Sequence, residues 1–258
     1  MAETIPAAWM PDADMRRIHV HWTAGRHTAN ATDRRSYHVL IEGDGKVLRG
    51  DPAISANDPA RRRPGERQAS HTLNANSHAV GVSMCGMFGA RERPFDAGPA
   101  PLTPVQWAKM IAVVAAIARR YGIAVTPETV LTHAEVQGNI NIPQRNKWDI
   151  TALPFDPGTL GAQAVGDRLR REVAAALDGI LPPPPERLPD DLKLPRFRVH
   201  GVAPSTLNFR NGPGGDRVGA LPEGTRVEQL GISGGWWQVR TPQGHVGWVW
   251  HSFLRAVG

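Results

Sequence analysis

The chain has 258 residues, 41% of them hydrophobic and 21% charged, which excludes a disordered polymer and, at roughly 100–200 residues per domain, leaves room for one large or two modest domains. A single cysteine, Cys85, excludes an internal disulfide and a Cys-rich zinc site, while ten histidines offer ligands of another kind. The net charge of +6 sits disproportionately in residues 196–258, which carry no Lys/Arg cluster that singles out nucleic acid, so no nucleic-acid partner is expected and an acidic polymer suits the charge equally well.

From the amino terminus, the first 17 residues lack the cationic start and apolar core of a signal peptide, so none is expected. Arg17 to Thr23 alternates Ile18 and Val20 with His19 and His21, which puts both histidines on one face of a strand ending at Ala24-Gly25. Tyr37 to Arg49 holds two short apolar runs around Gly43-Asp44-Gly45, a hairpin signal. Arg61-Arg62-Arg63 reads as an exposed loop. Val80 to Phe88 reads as another strand, with Cys85 as a small buried hydrophobe.

Thr103, Pro104 and Gln106 combine an N-cap, a proline at the first helical position and a capping-box partner. Trp107, Met110, Ile111, Val114, Ile117 and Tyr121 then recur at helical spacing until Gly122. The apolar run inside this helix, Met110 to Ala118, is half the length of a bilayer span, so no membrane span is expected. A second helix is predicted from about Thr159 to Asp178 through Leu160, Val165, Leu169, Val173 and Leu177. Strands interspersed with helices predict an α/β domain over residues 1–180, a mixed central β-sheet flanked by helices.

Residues 181–195 carry six prolines in fifteen positions, the composition of a semi-rigid polyproline II spacer. Residues 196–258 hold seven arginines, three acidic residues and four tryptophans. Their short alternating segments, at Leu207 to Arg210, Arg226 to Leu230, Trp237 to Arg240 and Gly247 to Val249, predict a small β-barrel.

His21 closes its strand, His133 follows the apolar stretch Val130-Leu131-Thr132, and Asp149 ends Lys147-Trp148-Asp149. Three such ligands plus water make the open tetrahedral arrangement of a catalytic zinc, although hydrogen-bonded structural histidines fit the same pattern. His19, on the same face as His21, competes for the ligand position.

These stretches, in order, resemble the zinc-dependent N-acetylmuramoyl-L-alanine amidase family, which includes amidase-type phage lysozymes and peptidoglycan recognition proteins. The likeness covers about residues 15–178. It runs through Ile18 to Gly25, Ser36 to Ile41 with Asp44-Gly45, Ser70-His71, Asn76 with Gly81-Val82-Ser83, Leu102-Thr103-Pro104, Thr132 to Glu135, and Lys147 to Asp149. The resemblance implies Zn2+ held by His21, His133 and Asp149, and hydrolysis of the amide between N-acetylmuramic acid and L-alanine by a zinc-activated water. It implies that Lys147 stabilises the oxyanion and that Tyr37 orients water or assists proton transfer. His71 and Asn76 match groove positions that contact peptide or sugar, with a loop-stabilising pair as the alternative. His19 then becomes support or core, His38 structural, and Glu135 either a brace for a ligand or a solvated side chain.

The chain departs from the pattern at three places. Trp22 stands where many relatives have a second histidine, and Ile150-Thr151 where they have Pro-Gly. The stretch from His133 to Lys147, including Asn139 to Arg145, is longer than in compact phage lysozymes, and this insertion is predicted to reshape the groove.

Leu207 to Pro213, Gly224-Thr225, Gly234 to Val239 and Gly247-Trp248-Val249 resemble bacterial SH3-like domains. That likeness implies wall binding, with Trp236, Trp237 and Trp248 as platforms for substrate and the arginines attracting carboxylates, or else with the tryptophans as barrel core. The whole reads as a peptidoglycan hydrolase, an endolysin or related lytic enzyme, expected to be a monomer made in the cytoplasm and acting on the wall after release. The alternative is a recognition protein that binds muropeptides without cutting them.

Overall fold

The computed structural model describes residues 4–179, 196–210, 214–233, 235–242 and 245–257. Chain contacts divide it into two compact units, residues 1–187 and 188–258. The spacer expected at 181–195 lies outside the described residues.

In the first unit the alternating segment is strand β1 (Arg17–Trp22). With β2 (Val39–Ile41), β3 (Val47–Arg49), β4 (Ala79–Met84) and β5 (Val130–Thr132) it builds a sheet of order β3-β2-β4-β1-β5. β2 and β3 are the expected antiparallel hairpin, and all other neighbours are parallel, so the sheet is mixed. β4 stops before the expected Phe88 because the chain turns at Gly86-Met87, where Met87 takes a left-handed φ of 68°.

Helix α1 (Ala31–Ser36) has no hydrophobic periodicity to announce it. Its signal is a capping box, in which the Asn30 side chain accepts from Thr32 and Asp33 while Asp33 accepts from the Asn30 amide. Helix α2 (Pro104–Tyr121) begins at the predicted Thr103 cap and ends at Gly122, whose φ is 65°. The Gln106 amide donates to the carbonyls of Ile41 (3.0 Å) and Cys85 (2.7 Å), tying the helix start to the ends of β2 and β4.

Helix α3 (His133–Ile140) follows β5 directly. Helix α4 (Ala162–Leu177) starts later than the expected Thr159. Thr159 and Leu160 belong instead to β7 (Asp156–Leu160), paired with β6 (Ala152–Leu153), and Leu160 is 67% exposed. Gly161, with a φ of 98°, makes the turn into the helix.

Period-two alternation decides what each sheet face does. Ile18, Val20 and Trp22 of β1 and Val80, Val82 and Met84 of β4 join Met110, Val114 and Ile117 of α2 and Leu169 and Val173 of α4 in one core. Each such fully buried side chain contributes roughly 1.5–3 kcal/mol. The intervening residues, His19 and His21 with their register partners Gly81 and Ser83, line the opposite face, where the polar site is built.

The second unit is an antiparallel sheet of β8 (Arg196–Val199), β9 (Thr206–Arg210), β10 (Arg217–Pro222), β11 (Arg226–Ser233), β12 (Trp236–Arg240), β13 (Val246–Trp250) and β14 (Leu254–Ala256). Its order is β10-β9-β13-β12-β11-β8-β14. Val199 of β8 and Leu221 of β10 would stand roughly 24 Å apart in a flat sheet. They share one apolar cluster with Phe209, Val239 and Val249, so the sheet is rolled into a small barrel.

Candidate metal and catalytic site

His21 and His133 come to Asp149 from different elements. His21 lies near the end of interior strand β1, His133 opens α3, and Asp149 sits in the loop before β6. His21 Nδ1 lies 3.0 Å and His133 Nδ1 3.1 Å from the same oxygen, Asp149 Oδ2. All three residues are buried, and their ligand atoms lie within 4.8 Å of one another. The backbone adds a clamp, the Ala134 amide donating to the Asp149 carbonyl at 2.6 Å.

Burial pushes the His21 pKa down to about 4, against the opposing effect of its bond to Asp149, so its imidazole is neutral at pH 7. Burial pushes Asp149 up, but bonds from His133 and His21 outweigh it and hold the carboxylate below its usual range. A neutral imidazole and an anionic carboxylate are the ligand forms of these side chains. Two nitrogens and one oxygen are a donor set that fits zinc with a position left open.

A second layer of side chains supports the first. His21 Nε2 lies 3.3 Å from His71 Nδ1 and 3.4 Å from Thr72 Oγ1. Thr72 Oγ1 in turn lies 2.8 Å from His71 Nδ1 and 3.0 Å from His19 Nδ1. His19 is therefore beneath the site, and His71 backs onto His21. A side chain at Gly81 would collide with the His71 ring, which explains glycine there. His38 accepts the Gly81 amide at 2.9 Å. Asn76 Oδ1 accepts from the amides of His71 (3.0 Å) and Thr72 (2.9 Å), so its carboxamide oxygen shapes the loop that carries both.

Glu135 is a brace. Its Oε2 accepts from Thr132 N (2.9 Å) and Oγ1 (3.1 Å), and its Oε1 accepts from Arg170 of α4 (2.9 Å), fixing the start of the helix that presents His133. Sequence reading left its role open and missed Gln144, a buried residue whose Oε1 lies 2.9 Å from His133 Nε2. No motif marks Gln144; only its place in the long His133-to-Lys147 segment sets it apart.

The Tyr37 ring centroid is 5.2 Å from that of His21, and burial, with the Asp149 charge, raises its pKa, so the phenol stays protonated. Lys147 is exposed two residues before Asp149, on a cleft also lined by Arg93, Asn146 and Trp148. Trp22 packs edge-on against Trp148 with centroids 4.7 Å apart, which anchors the segment carrying Lys147 and Asp149. Cys85 is fully buried, its thiol pushed up to about 12 chiefly by burial.

A family model described as N-acetylmuramoyl-L-alanine amidase matches residues 11–157, more than half of the chain. The chain belongs to the N-acetylmuramoyl-L-alanine amidase family. It is a peptidoglycan amidase, and a second model, the bacterial SH3 domain, matches residues 205–255 of the barrel. Comparison with curated proteins finds no match.

Among solved structures, the amidase is similar to N-acetylmuramoyl-L-alanine amidase LysC from Clostridium intestinale URNW, at 18% identity and a TM-score of 0.32 over 51% of this chain and 88% of that one. It is similar to the Ph2119 endolysin from the Thermus scotoductus MAT2119 bacteriophage Ph2119, at 17% identity and a TM-score of 0.33 over 54% and 82%. It is also similar to the amidase AmiD from E. coli, at 20% identity and a TM-score of 0.32 over 47% and 49%.

In the barrel of this amidase, Trp237 turns inward against the apolar cluster, and the cross-strand pairs Trp236 with Trp250 and Gln238 with Trp248 alternate with it on the outer face. The Trp236 and Trp250 rings meet edge-on at 5.2 Å, and the Arg210 guanidinium lies 5.7 Å from the Trp236 ring centre. Of the three tryptophans named from sequence as platforms, Trp237 packs on the core instead, because its strand position faces inward, and Trp250, 40% exposed, adds to the outer face.

Proposed function

We propose that His21, His133 and Asp149 hold one zinc ion and that this ion drives amide hydrolysis. The observation that carries the reading is the pair of Nδ1 atoms aimed at one carboxylate oxygen in a buried pocket. Zinc bound there supplies Lewis acidity and makes water a nucleophile near neutral pH. The chain's residues supply the rest. Tyr37, protonated beside His21, donates its phenolic proton to orient water or the reacting group. Lys147 brings an ammonium to the negative charge that develops on the amide oxygen. His71 and Asn76 are the groove pair of the family pattern, with His71 backing His21 and Asn76 setting the loop between them.

The division of labour follows the sequence: residues 1–180 for catalysis, 181–195 as proline-rich spacer, 196–258 for wall attachment through Trp236, Trp248 and the outer-face arginines. Peptidoglycan is the partner, and a wall-lytic enzyme of the endolysin kind acting outside the cytoplasmic membrane as a monomer is the role this combination suits. Among the described residues no helix is long and apolar enough to cross a membrane.

The test is incubation of purified sacculi with the protein, with and without chelator, scoring intact stem peptides with a new N-terminal L-alanine. Chelator-sensitive release that His133→Ala abolishes is expected. Wall binding without release would instead establish the muropeptide-binding alternative.

A further inference from the structure

The long segment between His133 and Lys147 places one buried carboxamide against a metal-site histidine. Gln144 is 3% exposed. Its Nε2 donates to the carbonyls of Leu73 (2.8 Å) and Ile142 (3.2 Å), and its Oε1 lies 2.9 Å from His133 Nε2. Two carbonyl oxygens carry no proton, so the NH2 end of the carboxamide must face them. A flipped amide would set its oxygen against both, lone pair to lone pair, and its NH2 against the imidazole. The orientation therefore leaves an acceptor, and only an acceptor, facing His133 Nε2.

We infer that Gln144 is a positioning residue that holds the His133 ring by its contact at Nε2, so that Nδ1 faces the metal position, 3.1 Å from Asp149 Oδ2. The geometry of the segment is built around this contact. The Gln144 amide donates to Gln137 Oε1 of α3 at 3.1 Å, and its carbonyl accepts from Lys147 N at 3.1 Å. Asn141, Arg145 and Asn146 all take left-handed φ values, of 55°, 42° and 56°, which fold the insertion tightly enough to return Gln144 to the helix it has just left. The same bond fixes the plane of the imidazole, because ring rotation would break it. A metal-bound histidine needs its second nitrogen satisfied and its ring aimed, and such partners typically account for 10–100-fold in metal affinity. The insertion that departs from the compact phage pattern thus supplies a support for the metal site as well as a wall of the groove.

This inference rests on His133 being a zinc ligand, and two measurements on the full chain separate the two claims. Crystal structures of the metal-free wild type and of Gln144→Met read the plane of the His133 ring, which is expected to hold Nε2 against Gln144 in the wild type. In Gln144→Met, which keeps the volume and removes the acceptor, the ring is expected to turn or to take two orientations with the backbone unchanged outside the loop. Zinc titration against a chromophoric chelator should then show affinity lower by about 10–100-fold in Gln144→Met. An unmoved His133 ring, or unchanged zinc affinity, in a folded Gln144→Met overturns the role of Gln144. A wild type that takes up no zinc overturns the zinc reading alone, and the His133 ring plane still decides for or against Gln144. Should Gln144→Met not fold, the wild-type ring decides, since a His133 Nε2 turned away from Gln144 overturns the role.

Discussion

Gly166 of α4 passes so close to Glu135 that a methyl group on it would overlap the Glu135 carboxylate. A carboxylate at the end of a free side chain could swing aside, but this one is pinned by Thr132 and Arg170. Gly166→Ala must break at least one of these buried bonds. The expected loss is about 2 kcal/mol of stability, in the range of an unmade buried hydrogen bond to a charged group. Urea unfolding measures it, and a wild-type midpoint would show that Glu135 is free to move.

Removing the Tyr37 hydroxyl separates chemistry from metal binding. Tyr37→Phe keeps the ring beside His21 and should lower kcat on soluble muropeptide by about 10²-fold or more. Zinc affinity should stay within about twofold. If the turnover number survives, the phenol is a packing group only.

Lys147→Met tests the exposed cation in the same way, with an expected drop of about 10²–10³ in kcat, the usual effect of losing an oxyanion-stabilising donor. Because Lys147 is exposed, the thermal midpoint should not change. A loss confined to KM would assign it to substrate binding instead.

Acid should destabilise the metal-free protein through His38. Burial lowers its pKa from 6.5 to about 4 in the fold, so between those values the unfolded chain binds more protons. Its contribution is whole above the unfolded pKa, is lost as pH falls through it, and levels off near the folded value. From pH 7 to pH 5 this one residue costs about 2 kcal/mol. Comparing the unfolding free energy of wild type and His38→Gln at both values checks it, and equal pH dependence in the two proteins would refute the assignment.

On the barrel, Trp236→Ala together with Trp250→Ala removes the paired outer-face rings without touching the inward Trp237. Co-sedimentation with sacculi should weaken several-fold, while cleavage of soluble muropeptides stays at the wild-type rate. Undiminished sedimentation would move wall attachment to another surface.

Much of this protein was legible in residue order because the signals are local. Alternation at 17–23 placed His19 and His21 on one face, and Thr103 with Gln106 marked the start of α2, since each effect needs only neighbours a few residues apart. The α4 boundary was misplaced because Leu160 satisfies helical spacing yet lies in a β-ribbon, a pairing that spacing cannot see. The family resemblance named His21, His133 and Asp149 as a set.

Only the tertiary structure decided how they are held. His133 and Gln144 are 11 residues apart, His21 and Asp149 are 128 apart, and Gly166 meets Glu135 across two helices. Contacts of that kind depend on register, on left-handed turns in a loop and on which end of a carboxamide faces which carbonyl. Sequence by itself determined which residues can do chemistry at this site; the fold determined which nitrogen of each histidine is turned toward Asp149.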